Sequence, residues 1–492
     1  MRVSTAAPAQ VDGQALLARL ERLPVSRPHH ALLLMGGLGI AFDGMDGALL
    51  AYVLPAVTEL WHLSSWQTGL LGSSLLIGIM IGALTAGLVG DKIGRRPVMM
   101  YALALYCGAT AVAALAPNWQ FFFGARVVAG IGAGAEAAII PAFMAEFVPG
   151  RVRGLFVGAI AGFFSFGYLG AALLGRFLIP GHEEGWRIAQ LVTSAPVLML
   201  LWWRTRLPES PRWLVQRGRM READEVVTEL EARVERATGR TLPPVLPTYG
   251  PSAPPASQMR SRTRLAALWR GGFARRTIVL WLLWICTTFA YYGFFIWMPS
   301  LLIERGMSME QSFTSTLLIT LAQIPGYYSA AFLSERLGRT RTIALYLAGG
   351  ALSAGLLAQG GAEARILWCG AFLSYFMNGS YAALYAYSTE VYPTAIRATG
   401  AGAASAFGRL GGIAAPVAIG VLYPVVGFGG VFALVTGVLA AGAAIALAFG
   451  LRTTGRTLEE LGGAARSAGA MGSERRASTP VTEQQTTPPH PN

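Results

Sequence analysis

Charge is what this chain has least of. Of its 492 residues 13% are Asp, Glu, Lys or Arg, about half the usual share, while 53% are hydrophobic and the mean hydropathy is +0.48, which excludes a soluble globular protein. Lysine is nearly absent, with Lys92 the single one among 39 basic residues. Cysteine is scarce, and Cys107, Cys286 and Cys369 each sit inside an apolar run, where they read as small core residues rather than a disulfide or metal framework. Histidine occurs five times, at 29, 30, 62, 182 and 490, with no His-x-x-x-His or Cys-x-x-Cys spacing. No Gly-x-Ser-x-Gly and no phosphate-binding loop is present, so neither a membrane-embedded hydrolase nor an ATP-driven pump has a motif to stand on. No enzyme activity, metal or cofactor is expected.

What is abundant is long apolar runs. Twelve reach the roughly 20 residues a helix needs to cross the hydrocarbon, near 31–57, 66–90, 97–116, 119–143, 154–179, 186–203, 277–302, 312–333, 342–360, 366–392, 400–423 and 428–450. The segment before the first run holds an amphipathic stretch, Gln14–Leu23, and no short apolar core with a cleavage site, so a secretory signal is not expected. With the N-terminus placed in the cytoplasm the basic residues sort by side, as the positive-inside rule requires. Expected outer loops carry Arg187, Arg305 and Arg365, whereas Lys92, Arg95, Arg96, Arg151, Arg153, the run from Arg204 to Arg276, Arg336, Arg339, Arg341, Arg397 and the tail fall inside. The formal charge of +13 is thus an orientation signal, and nucleic acid is not expected as a partner.

An internal repeat organises the chain. GLVGDKIGRRP (87–97) is echoed by AFLSERLGRTR (331–341), and EFVPGRVRG (146–154) by EVYPTAIRATG (390–400). Asp91 and Glu335, Glu146 and Glu390, Pro149 and Pro393, and Arg153 and Arg397 are all separated by 244 residues. The expected fold is all-α, with twelve transmembrane helices in two six-helix pseudo-symmetric bundles and a ligand site between them near mid-membrane. The boundaries read as a cytoplasmic segment 1–30, bundles over 31–206 and 277–450, a central loop over 207–276 and a tail over 451–492. Within the loop one helix is expected from Pro211 to about Ala237, then a Pro-rich linker from Leu242 to Ala256, and residues 463–492 read as disordered.

These motifs also carry a family resemblance. GLVGDKIGRRP resembles the signature between helices 2 and 3 of the major facilitator superfamily, and RVVAGIGAG (126–134) resembles its helix-4 motif. LPESPRWL (207–214), the 390–416 stretch and TTGRTLEEL (453–461) resemble the branch of sugar porters and metabolite:proton symporters. FDGMD (42–46) and YYGFFIWMPSLLIERG (291–306) look more like the aromatic-acid:proton and niacin-type symporters, and helix 7 lacks the Gln-Gln motif of sugar porters. The resemblance implies that Gly87, Asp91, Gly94, Arg95, Glu146 and Arg153, with Glu335, Arg339, Glu390 and Arg397, form a cytoplasmic gate. It also implies that helices 1, 4, 7 and 10 line the cavity and that transport is import.

Charges inside the apolar runs are the informative ones, since each costs about 2.5–3.5 kcal/mol at mid-bilayer even on the lenient insertion scale. Asp43 and Asp46 share a face of helix 1, and counting about 1.5 Å per residue puts them at the depth of Arg126. One of the two is therefore expected to pair with Arg126, either as a proton-coupling element or as a buried structural lock. Glu136, nearer the inner face, reads as a second protonatable site or an inner-gate partner. Arg409 lies near the bilayer centre with no acid at its depth in helices 7–12, which suggests a carboxylate-binding fork or a clamp on backbone carbonyls. Tyr292, Gln323, Asn378 and Tyr381 are the preferred polar contacts of a ligand. The reading is a monomeric, multi-pass transporter of the cell membrane with both termini cytoplasmic, driven by the proton gradient and importing a small organic anion, plausibly aromatic. A sugar or polyol symporter, a proton-driven drug exporter and a nontransporting sensor stay as alternatives.

Overall fold

Segments with no water to satisfy their backbones must close their hydrogen bonds internally, and the computed structural model, which describes residues 13–245, 265–270 and 272–451, resolves them as helices. No strand occurs among the described residues. The elements are α1 (Gly13–Glu21), α2 (Arg27–Leu60), α3 (Ser65–Ile93), α4 (Arg95–Ala114), α5 (Trp119–Ala145), α6 (Gly150–Leu178), α7 (Gly185–Ser194), α8 (Met199–Arg206), α9 (Pro211–Gln216) and α10 (Met220–Thr238). The second half holds α11 (Phe273–Glu304), α12 (Met309–Leu321), α13 (Gln323–Leu337), α14 (Arg339–Ala358), α15 (Glu363–Glu390) and α16 (Thr394–Phe449). The TTGRTLEEL motif, most of the Pro-rich stretch and the tail lie outside the described residues.

Nine helices among the described residues are long and apolar enough to cross a membrane, and three departures from the expected twelve reconcile the numbers. Span 6 is broken into α7, a 3₁₀ turn over Ala195–Leu198 and α8, because Pro196 has no N–H to continue the ladder. Spans 11 and 12 merge into α16, interrupted at Gly427, whose φ of 61° suits glycine. Span 10 is α15, whose apolar run is diluted by Ser374, Tyr375, Asn378 and Ser380. Span 8 is also bent, changing from α12 to α13 at Ala322 ahead of Pro325. The single helix expected from Pro211 is instead two, with a left-handed residue, Gly218, between them.

The repeat is visible in the backbone. Gly94 (φ 107°) and Gly338 (φ 89°), 244 residues apart, make the same sharp turn between α3 and α4 and between α13 and α14. At the end that the charge pattern assigns to the cytoplasm, here called the basic end, two glutamates from outside the bundle supply acceptors for otherwise orphaned helix N-termini. Glu209 accepts from the backbone N–H of Arg95 at 3.1 Å, and Glu21 accepts from Gly150 N at 2.6 Å. α1 lies on α10 through Arg19, 2.6 Å from Glu231, and buries Leu16 and Leu20.

Glycine sets the tightest packing within the first half. Gly78 and Gly82 of α3 face Gly130 and Gly134 of α5, so closely that a Cβ at Gly130 would stand 2.2 Å from the Leu75 carbonyl oxygen. This is close packing through small residues, where van der Waals contact replaces the absent hydrophobic drive. Gly130→Val should cost about 1–3 kcal/mol of overpacking and lower the yield and melting temperature of monodisperse detergent-solubilised protein. Gly158→Val, at a site with no atom within 4 Å of the new Cβ, should leave both unchanged. Equal behaviour of the two variants would show that the α3–α5 seam tolerates separation.

Candidate functional site

Two polar centres sit inside the bundle. The first is carried by α2 and α5. Arg126 Nη1 lies 2.8 Å from both carboxylate oxygens of Asp46, and the two side chains are 0% and 1% exposed. Of the two candidate aspartates it is Asp46 that pairs. The broken span 6 supports the pair: Thr193 Oγ1 donates to Asp46 at 3.2 Å and Gln190 Oε1 accepts from Arg126 at 3.4 Å. The Tyr106 hydroxyl of α4 closes the site by donating to the Thr193 carbonyl at 2.9 Å. A buried ion pair recovers its desolvation cost only when its remaining bonds are met; these neutral groups supply part of them, while Arg126 Nε stays without a partner. Asp43 and Glu136 lie buried in the same half, each with both carboxyl oxygens unbonded.

The second centre is the seam between the halves. A narrow cleft, about 390 Å³ only when the open solvent it reaches is included, is lined by Tyr52 and Tyr168 from the first half and by Tyr292, Phe295, Thr316 and Thr320 from the second. An aromatic wall runs from it. Tyr291 packs against Tyr168 (ring centroids 6.1 Å apart), Phe295 (4.6 Å) and Tyr381 (4.9 Å), and Tyr381 leads through Trp284 to Tyr385. Tyr385, nearer the basic end of α15, is 53% exposed. Arg409 of α16 is half-buried and within electrostatic reach of Tyr292, Tyr381 and Tyr385. Among the described residues it makes no hydrogen bond or ion pair. Close approach of α16 to α11 is permitted by Gly411, where a Cβ would stand 2.5 Å from the Ile285 carbonyl oxygen.

The other expected ligand contacts divide. Tyr292 lines the cleft and Tyr381 belongs to the wall. Gln323 accepts from the Tyr291 hydroxyl at 3.3 Å and leaves its buried amide nitrogen unbonded. Asn378 instead spends its amide on the Gln323 carbonyl at 2.8 Å, tying α15 to the bend of span 8.

At the basic end the expected gate residues form two parallel clusters, each joined within its own half. Arg95 pairs with Asp91 at 2.7 Å across the Gly94 turn, and Arg339 pairs with Glu335 at 2.7 Å across the Gly338 turn. Arg153 donates to the Val148 carbonyl and Arg397 to that of Tyr392, positions again 244 apart. The clusters differ at their glutamates: Glu390 pairs with Arg339 at 2.9 Å, whereas Glu146 accepts from the Ser210 hydroxyl. Gly87 is exposed with no atom near its missing side chain. Sequence reasoning missed Glu209 and Ser210 as anchors, although an acid and a serine ahead of Pro-Arg-Trp are capping residues. It also missed the closure at the opposite end, where Arg176 of α6 pairs with Glu310 and donates to Thr314 of α12 at 2.6 Å. Ser73 of α3 donates to the Ile413 carbonyl of α16 at 2.6 Å on the same seam.

Comparisons with known proteins agree with this architecture. Residues 29–464 match the family model described as sugar (and other) transporter. The chain is 39% identical over 448 residues to the niacin transporter NiaP of Acinetobacter baylyi, covering 91% of this chain and 99% of that one. It is 30% identical to a gallate transporter of Pseudomonas putida, covering 80% and 85%. Among solved structures, the inward-open xylose transporter XylE from E. coli superposes with a TM-score of 0.70 at 19% identity, covering 89% of this chain and 99% of that one.

Each end of the molecule can be tested by one glutamate. Burial pushes the Glu146 carboxyl up to about 7, although the guanidinium groups of Arg95, Arg212 and Arg153 oppose the rise. The folded protein then binds the extra proton, so this group stabilises least at high pH. Its contribution falls as pH rises from about 4.5 through about 7, by about 1.4 kcal/mol for each pH unit crossed. Glu146→Gln should flatten the pH dependence of thermal melting and raise the melting temperature at about pH 8; an unchanged slope would refute the assignment. At the opposite end, Glu310→Gln should release Arg176. With an exposed pair worth about 0.2–1 kcal/mol, a membrane-impermeant thiol reagent added from that side should label a cysteine at Ala51 up to several-fold faster. An unchanged rate would remove the pair from the closure.

Proposed function

The chain belongs to the sugar (and other) transporter family of the major facilitator superfamily, and we propose that this transporter of a small organic molecule is a proton-coupled symporter importing an aromatic or heteroaromatic carboxylate. Niacin, for which a relative sharing 39% identity is named, is the first substrate to test. The observation that carries the reading is Arg409, a guanidinium without a counter-charge among the described residues, set beside a wall of tyrosines at the seam of the halves. A planar guanidinium matches a carboxylate at two points, and the ring of such a ligand stacks on or edges against Tyr292 and Tyr381. The unbonded amide of Gln323 adds a donor for a ring nitrogen or a second oxygen. A neutral sugar or polyol would leave the arginine uncompensated.

Energy coupling follows from the other centre. With Asp46 ionised the pair with Arg126 holds α2 to α5. A proton on Asp46 removes one charge and leaves the arginine to find new acceptors, so the pair is a two-state element that the gradient biases. Asp43, on the same face, and Glu136 take part in the same proton traffic. The clusters at the basic end and the Arg176–Glu310 closure at the opposite end act as alternating gates. Orientation puts the basic end in the cytoplasm of a cell with both termini inside, and the protein works as a monomer without a cofactor, on the proton gradient alone.

In proteoliposomes niacin should accumulate under an inwardly directed proton gradient and stop accumulating when a protonophore is added. Arg409→Lys should lose most uptake, about tenfold or more for the loss of a two-point contact, at unchanged folded yield. Normal transport by that variant would remove Arg409 from the site. Asp46→Asn and Asp43→Asn should lose accumulation against a gradient, and if both variants concentrate substrate normally the proton-coupled reading fails.

A further inference from the structure

The turn ahead of α11 is basic, aromatic and fixed in place. Between Glu235 and Glu304 the sequence has no acid. Among the described residues Arg270 and Arg275 are exposed and take part in no ion pair, whereas Arg276 donates to the Val391 carbonyl at 3.3 Å, just past the end of α15. Residues 265–270 are docked on the bundle. Leu268 is buried, and its carbonyl accepts from the Thr277 hydroxyl at 3.0 Å. This docking leaves Leu265 and Trp269 exposed, with the indole of Trp269 standing edge-on to Trp281 at 5.3 Å between ring centroids.

Trp281 gives the depth. It is the fifth residue of the apolar run that begins at 277, which puts it about 6 Å inside the hydrocarbon. Trp269 against it lies at the headgroup boundary, where indoles collect. Arg275 heads the lipid side of α11: Ile278 and Leu282, three and seven residues further on, share its face and are exposed. A guanidinium at the basic end of such a stripe stands at headgroup level.

The fold does not need this chemistry here. The repeat offset of 244 holds at this place, since the Phe163 ring packs on Gly37 as Phe407 stacks on Trp281, ring centroids 3.8 Å apart. At that offset the first half has Glu21, Val25, Ser26 and Ala31 in place of Leu265, Trp269, Arg270 and Arg275. Its charges there are spent within the protein, Glu21 on Arg153 and Arg212 and Arg22 on Glu231. An orientation signal needs basic residues only somewhere within about 15–20 residues of a helix end. It does not call for a docked turn that sets two cations and a tryptophan at one depth. Guanidinium groups so placed, with no acid of the chain to meet them, match the phosphate of a negatively charged headgroup.

We propose that Trp269, Arg270 and Arg275 bind the headgroup of an anionic phospholipid in the leaflet at the basic end, its acyl chains lying on Ile278, Trp281 and Leu282. The arginines supply the charge, Trp269 packs on the glycerol region, and the bound lipid fixes the start of α11 in the bilayer.

The test uses the full chain and does not depend on transport. Native mass spectrometry of the detergent-solubilised protein, titrated with phosphatidylglycerol or with phosphatidylcholine of matched chains, should show preferential retention of phosphatidylglycerol. Arg270→Gln/Arg275→Gln should lower that retention about fivefold for each arginine removed. Arg221→Gln/Arg236→Gln, which takes the same charge from α10, should leave it unchanged. No preference in the wild type overturns the proposal, and so does equal loss in the two double variants, which reduces the preference to net charge. Inorganic phosphate added as competitor should not displace the lipid; displacement assigns the arginines to a free anion and overturns the lipid. A fluorescence measurement covers the case of a double variant that does not fold. Brominated phosphatidylglycerol should quench the tryptophan emission of the wild type in bilayers more than brominated phosphatidylcholine does, and Trp269→Phe should remove most of that difference. A difference undiminished in Trp269→Phe overturns the site.

Discussion

The Asp46–Arg126 ion pair is the constraint around which the first half is arranged. Both side chains are sealed from solvent at a depth where neither could stay charged alone. Span 6, broken at Pro196, supplies their further bonds. Its upper piece, α7, carries Gln190 and Thr193 up to the pair, and the Tyr106 hydroxyl reaches the carbonyl of that same Thr193. The glycine seam of α3 and α5 sets the helix that carries Arg126 at close range to its neighbour.

The two halves repeat in backbone and differ in chemistry. Turn glycines, gate ion pairs and carbonyl-capping arginines recur at one offset, whereas the buried charges belong to the first half and the aromatic wall with Arg409 to the second. Position 165, the counterpart of Arg409, is a serine. A duplicated scaffold can thus separate two tasks: one half holds titratable groups, the other presents a fixed cation to whatever enters the seam. On the reading proposed above, rocking the halves places the two chemistries in register or apart without altering the packing inside either.

Much of this could be read from the residues alone. Twelve apolar runs, the repeat and the matching depths of Arg126 and the FDGMD aspartates all follow from spacing and rise per residue. The choice between Asp43 and Asp46 could not, because residues three apart share a face. What separates them is the pair of polar side chains that a kinked span brings from 144 and 147 positions further on. Asn378 was legible as a polar residue in an apolar run but not as a tie to the Gln323 carbonyl, since that acceptor is exposed by the bend before Pro325. The capping glutamates illustrate the same limit. Glu21 and Glu209 look like ordinary surface acids until the helix ends they cover are placed beside them.

Since α16 passes from span 11 to span 12 through the one non-helical residue Gly427, the end of the molecule opposite the basic face has no connection there to grasp. The other links at that end are short as well, residues 61–64, 115–118, 179–184, 305–308 and 359–362. Proteases, antibodies and epitope insertions approaching from that side therefore meet a nearly bare surface, and the six residues 179–184 are the best foothold for a tag that reports topology.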